Sequence, residues 1–313
     1  MSRIWPIVLT VVVFVVIFLR IPFERFVAAL AGARLVPFLA LMAGFSLFYF
    51  ALDTFILVKL LRWFHGPLAY RDLLPARAST YLVSLVNTQL GQGALALYLH
   101  RRFRAPLGEI TGTIAVLILL EVTQLVLFAT AGMAAELGRV PRELWLAPAA
   151  LLAVWASLAL ALRAPLASPP AWLAALRDSS LVRTFRRARP GQLLTILALK
   201  APIFLAAVLV HRLALTLFDI HIPALRLLTF LPIVFLVAAL PITVAHLGTS
   251  QAAWIFFFGD RAAEADLLAY SLASHLTFML ANGALGLLFL PRAYAELFRE
   301  RATEATAPEP GSS

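Results

Sequence analysis

Along the 313-residue chain, long apolar stretches alternate with short loops that carry most of the arginines. Helices of roughly 20 apolar residues match a hydrocarbon core ~30 Å thick, so this pattern predicts membrane-crossing helices rather than a soluble globule. The first run, Ile4 to Leu19, follows Arg3 and is closed by Arg20. No small-residue cleavage site follows it directly, because Phe23, Glu24, Arg25 and Phe26 intervene, so it reads as a retained span and not a cleaved leader. Further spans are expected over Leu35 to Leu61, Leu107 to Ala134, Leu144 to Leu162, Gln192 to Phe218 and Ala265 to Leu290.

Two other apolar elements, Leu73 to His100 and Ala224 to Phe258, are interrupted by polar, glycine-containing turns. The first turn is Asn87-Thr88-Gln89-Leu90-Gly91-Gln92-Gly93, and the second runs from Pro241 through Thr243, His246, Gly248, Thr249 and Ser250 to Gln251. Non-helical backbone at membrane depth is tolerated only where protein buries it or where it lines a water-filled cavity. Paired interruptions in two halves of a chain point to a transport site between inverted repeats. The expected fold is therefore an all-α polytopic membrane protein, with about six full transmembrane helices and two re-entrant helical hairpins in an inverted-repeat arrangement. Residues 1–295 form one transmembrane domain in this reading, and 296–313 a polar, disordered tail. The longest polar connection, Arg163 to Gly191, is expected to hold a surface helix over Ala171 to Phe185.

Composition agrees. With 62% hydrophobic and 13% charged residues, a soluble protein could not cover itself with polar surface. The net charge of +10 raises nucleic acid as a partner. The basic residues are spread through loops, however, as membrane topology requires, and form no concentrated face, so no nucleic-acid partner is expected. If both broken elements enter and leave on one side, Arg3, the Arg62 to Arg104 group, the Arg163 to Arg189 group and Arg292 to Arg301 share one face. That face, with about twice the positive charge of the other, is assigned with both termini to the cytoplasm of a bacterial or archaeal inner membrane. The first hairpin then enters from the cytoplasm and the second from the opposite side. The absence of cysteine excludes disulfides, thiolate metal sites and thiol nucleophiles.

The candidate chemistry lies in the breaks and the buried charges. Asn87, Gln89 and Gln92 supply neutral hydrogen-bonding groups beside Gly91 and Gly93, which admit close approach of a ligand or another backbone. The alternative is that these amides satisfy a helix break. Thr243, His246, Thr249, Ser250 and Gln251 form a second polar cluster, in which His246 either relays a proton or contacts a phosphate, or is held by a neighbouring helix. Gly248 precedes a short apolar helix whose N-terminus would direct its amides at an anionic group. Asp53, Glu121 and Lys200 are ionisable residues within spans, where charge is costly and marks function or pairing. A Glu121–Lys200 ion pair and a substrate-handling role are equally compatible with their placement. Arg77 either holds a lipid phosphate through bidentate bonds or snorkels to the surface. Arg101, Arg102 and Arg104 either gather anionic lipid or simply set topology. No metalloprotease, serine-elbow, paired metal-ligand or kinase motif is present. Accordingly no catalytic residue, metal or cofactor is expected, and transport would be facilitated or ion-coupled.

The stretch Arg77-Ala-Ser-Thr-Tyr-Leu-Val-Ser-Leu-Val-Asn87-Thr-Gln-Leu-Gly91-Gln-Gly93, then Glu121 in Leu-Leu-Glu-Val-Thr-Gln-Leu, then Leu240-Pro241-Ile-Thr243 leading to Gly248, resembles the lysylphosphatidylglycerol synthase transmembrane family. The resemblance covers roughly residues 5 to 295. It implies a flippase-like integral membrane fold with re-entrant elements and movement of modified phospholipids between leaflets. The family pattern places an acid after the glycine of the first hairpin, an arginine after the glutamate of the third span, and an arginine–glutamate pair after the second glycine motif. This chain has Ala94, Val122 and Ser250-Gln251 there, which implies a less charged substrate or an altered mechanism. No soluble synthase domain is seen, so aminoacyl transfer is not expected.

The function expected is that of a lipid translocator. A polar groove of Asn87, Gln89, Gln92, Thr243, His246 and Gln251 passes a phospholipid or other lipid-linked headgroup, and Arg77 with Glu121 stabilises or gates it. Its partners are membrane lipids, among them anionic phospholipid, with a second copy of the chain or a lipid-synthesis protein left open. The rival readings are a membrane enzyme acting on lipid-linked sugars or isoprenoids, with Glu109 and His100 as its acid/base pair, and an accessory subunit for which Asn87, Glu121 and Gln251 are dispensable.

Overall fold

The computed structural model describes residues 5–86, 88–136, 138, 140–163, 170–240 and 247–305, and of residues 5–9, 86, 88, 89 and 294–305 the backbone alone. The described chain is helical: α1 Trp5–Arg20, α2 Phe23–Gly32, α3 Leu35–His65, α4 Tyr70–Val86, α5 Thr88–Phe103, α6 Leu107–Ala135, α7 Leu146–Arg163, α8 Ala171–Asp178, α9 Arg183–Arg187, α10 Pro190–Thr216, α11 Ala224–Ala239, α12 Thr249–Phe258 and α13 Glu264–Ala305. Five helices are long and apolar enough to cross a membrane, namely α3, α6, α7 with the 3-10 turn before it, α10 and α13 up to Ala293. These are five of the six expected spans. The sixth, at the N-terminus, is α1, a helix of 16 residues.

Both interrupted elements form pairs of short helices. At 1.5 Å per residue, α4 and α5 are each about 25 Å long, and α11 and α12 about 24 and 15 Å, all short of a ~30 Å hydrocarbon core. The two pairs use the long helices in opposite order: α4 packs on α13 and α5 on α6, whereas α11 packs on α6 and α12 on α13. Pro75, Pro202, Pro232 and Pro291 interrupt the amide ladders of α4, α10, α11 and α13. α13 continues past its apolar part to Ala305, so the tail boundary expected at 296 falls inside a helix, and residues 306–313 lie outside the described residues.

Close helix contacts depend on small residues, since a bilayer offers no hydrophobic drive between apolar helices. Gly286 of α13 is one: a Cβ there would stand 2.8 Å from the Ala78 carbonyl oxygen of α4. Gly112 of α6 is another, against the Arg163 to Gly191 connection. That connection folds as α8, a 3-10 turn over Ser180–Val182, and α9, in place of the single surface helix expected over 171–185. Glu109, buried on α6, binds Arg183 at 2.7 Å and Arg187 at 3.2 Å, while Thr113 bonds Thr184 at 2.7 Å. A Cβ at position 112 would run into the Leu181 carbonyl, whose carbon would lie at 2.9 Å. Gly112→Val is therefore expected to lose about 1–3 kcal/mol by overpacking and to release this segment. Limited trypsin digestion should then cut at Arg183 to Arg189 several times faster than in the unaltered protein; equal rates would show that the segment does not depend on this contact.

Beside a small cluster of Ile17, Ile21, Ala265 and Leu268, two large hydrophobic cores result. One joins the first half of α3 to the second half of α10, α11, α12 and α13 around Phe38, Phe230, Phe258 and Tyr270. The other joins the second half of α3 to α4, α5, α6 and the first half of α10 around Leu57, Leu61, Leu95 and Leu120.

Candidate functional site

Where these cores meet, the helices border a partly open cavity of about 770 Å³. Met42, Phe204 and Trp254 line it from the first core, and Ala96, Ile114 and Ile203 from the second. The volume falls within the ~300–1,000 Å³ of small-molecule sites, which typically pair apolar walls with a few placed polar groups.

The polar groups at one part of the wall are charged. Arg77 of α4 is 8% exposed and donates from Nε at 3.1 Å and Nη2 at 2.6 Å to Oδ2 of Asp53 on α3, which is 2% exposed. Lys200 of α10, 5% exposed, stands 3.8 Å from Oδ1 of the same carboxylate and 3.3 Å from Oε2 of Glu121 on α6. Four helices thus contribute one network, Arg77–Asp53–Lys200–Glu121. Arg77, Lys200 and Glu121 line the cavity, with the Glu121 side chain 48% exposed, and Asp53 stands behind them. The Tyr81 ring lies under the Arg77 guanidinium, 5.2 Å from its centroid, and holds it in place from the next turn of α4. With eight N–H donors between them, Arg77 and Lys200 have more hydrogen-bonding capacity than the two carboxylates absorb in these contacts. Such a surplus on a cavity wall suits an oxyanion.

The residues of the first break separate. Gln92 and Gly93 line the cavity. Gly91 does not: a Cβ there would collide with the Ser84 hydroxyl and lie 3.1 Å from the Thr80 carbonyl, so this glycine lets α5 lie against α4. Asn87 and the side chain of Gln89 lie outside the described residues, as do Thr243 and His246 of the second break. Gly248 adopts a φ of +90° at the start of α12, a conformation favouring glycine. Its N–H donates to Oε1 of Gln251 at 2.6 Å. Gln251 is fully buried and turned back on its own helix start, and the neighbouring Ser250 lines the cavity instead.

Several polar wall residues lie outside the expected groove. His211 of α10 shares a 2.6 Å hydrogen bond with the Tyr270 hydroxyl of α13. Ser271, Ser274 and His275 recur at i, i+3 and i+4 on α13, and Glu121 and Gln124 at i and i+3 on α6. That one-face spacing inside an apolar span was the available signal. The acid/base pair of the enzymatic reading does not form. His100 donates from Nδ1 to the Ala105 carbonyl at 2.6 Å, and Glu109 is held by Arg183 and Arg187. Among the described residues no group of three or more acidic, His or Cys side chains is placed to hold a metal ion.

The sequence pattern of a family described as the lysylphosphatidylglycerol synthase TM region matches residues 3–286. No curated protein and no solved structure matches the chain.

Proposed function

The chain belongs to the lysylphosphatidylglycerol synthase TM-region family and is an integral membrane protein, and from that premise we propose that it moves the polar headgroup of a phosphate-bearing lipid between leaflets through the cavity. The observation that carries this reading is the Arg77–Asp53–Lys200–Glu121 network on the cavity wall. Two buried cations presented to an internal cavity are expensive unless they are paired or used. Here two carboxylates balance them in charge and leave N–H donors over for a ligand.

The headgroup enters the cavity while its acyl chains stay in lipid. Its phosphate takes N–H groups from Lys200 and Arg77, so the oxyanion exchanges water for charge-assisted hydrogen bonds rather than for hydrocarbon. Glu121, the more exposed carboxylate, is the member of the network that yields Lys200 to the phosphate and takes it back on release. Asp53 keeps Arg77 oriented throughout. The opposite order in which the two short-helix pairs pack on α6 and α13 supports an inverted-repeat relation between two re-entrant pairs; the placement of both termini in the cytoplasm rests on the arginine bias of the loops alone.

Leaflet exchange of fluorescent phospholipid probes in vesicles tests this reading. The protein should accelerate exchange well above the protein-free rate, without ATP. Exchange at the protein-free rate for every anionic and zwitterionic probe would overturn it.

A further inference from the structure

We infer that the cargo is a phosphodiester whose headgroup carries hydroxyls, a polyol or sugar, rather than an amine, and that Gln124 reads it. This rests on the translocation reading above and adds the class of headgroup.

Hydrogen-bond valence on the cavity wall separates the two classes. Gln124 lies on that wall, is 6% exposed, and its Nε2 is buried with no hydrogen-bond partner among the described residues. A buried amide donor is normally satisfied, and an exception calls for an explanation such as an absent ligand. Gln124 follows Glu121 by three residues on α6, so both present to the same stretch of wall, about 4.5 Å apart along the helix axis. One is a carboxylate that only accepts, and the other offers a donor that lacks an acceptor. An ammonium group carries donors alone; it would satisfy Glu121 and leave the Gln124 amide unpaired. A hydroxyl donates and accepts, so adjacent hydroxyls bond Glu121 and Gln124 together while the phosphate sits on Lys200 and Arg77. The terminal torsion of a glutamine is broad, so the amide turns to an incoming acceptor at little cost. Ser271 and Ser274 of α13, also on the cavity wall, add neutral polar groups.

The test compares phosphatidylglycerol with phosphatidylmethanol, equal in charge but lacking hydroxyls, and with phosphatidylethanolamine, in vesicles carrying the full chain. The unaltered protein should exchange phosphatidylglycerol roughly fivefold faster than phosphatidylmethanol, the worth of one neutral hydrogen bond, and faster than phosphatidylethanolamine. Gln124→Leu should bring the first ratio near one. Gln124→Glu should raise phosphatidylethanolamine relative to phosphatidylglycerol, which a merely structural role would not do. A ratio near one in the unaltered protein, a ratio untouched by Gln124→Leu, or a native preference for the amine overturns the inference. Should no probe exchange at all, translocation itself fails. Binding of the dihexanoyl forms of the same lipids, read by tryptophan fluorescence, then decides the headgroup by the same ratios.

Discussion

Replacing Asp53 with alanine should destabilise the protein by about 3–5 kcal/mol, the usual consequence of removing one partner of a buried ion pair. Both Asp53 and Arg77 are nearly inaccessible, at 2% and 8% exposure, and Arg77 directs Nε and Nη2 to this one carboxylate. Alanine leaves that guanidinium buried against Tyr81 with its main acceptor gone, and Lys200 is deprived of the more deeply buried of its two carboxylate neighbours. The pair itself adds little net stability, because taking two charges out of water offsets most of their attraction. Asp53→Leu with Arg77→Leu should therefore recover most of the loss. Thermal unfolding in detergent distinguishes the cases: a single variant within about 1 kcal/mol of the unaltered protein would show that the pair is solvated rather than buried.

Lys200→Met should reduce lipid exchange about a hundredfold, the equivalent of roughly 3 kcal/mol for removing a charge-assisted hydrogen bond from a desolvated site. Methionine keeps the length and apolar body of the side chain, which shares a face of α10 with Ile196, Ile203 and Phe204 at i−4, i+3 and i+4, but offers nothing to a phosphate. Glu121 is 48% exposed and tolerates the loss of its partner by facing the cavity. The fold should survive, as an unchanged elution volume and melting temperature would show. Adding Glu121→Gln removes the unpaired carboxylate without restoring a cation, so the double variant should stay as slow as the single one. Recovery of exchange in the double variant would assign Lys200 a purely structural role, that of neutralising Glu121.

How far the chain itself disclosed this arrangement differs from residue to residue. The apolar runs identify the five long helices because membrane crossing demands length and apolarity, both of which are written along the sequence. The shortness of α4, α5, α11 and α12 followed from the polar breaks between them. The Glu121–Lys200 contact was foreseeable, since two opposite charges inside apolar spans have few other solutions. Arg77 was harder. Its partner Asp53 lies on another helix, and whether an arginine turns inward depends on helix rotation and tilt, which no single sequence specifies. The same holds for Gly91 and Gly93, two residues apart on α5, one against α4 and the other on the cavity. Gln251 reads as a groove residue by composition, yet its acceptor goes to the Gly248 N–H, a local bond that competes with any ligand. Gln124, Ser271, Ser274 and His275 carry a legible one-face spacing, but in isolation each is a modest polar residue in an apolar helix, and only packing puts them on a common wall.

The central claim is that cargo passes through this cavity, and a single-cysteine block tests it most directly, because the natural chain has no cysteine to remove. Ala115 lines the cavity on α6, whereas Leu127 on the same helix is 53% exposed and lies outside it. Ala115→Cys and Leu127→Cys are each treated with a bulky membrane-permeant maleimide in vesicles, and leaflet exchange is measured before and after. Labelling at position 115 should abolish exchange and labelling at 127 should leave it intact; full exchange with position 115 quantitatively labelled would contradict a route through the cavity.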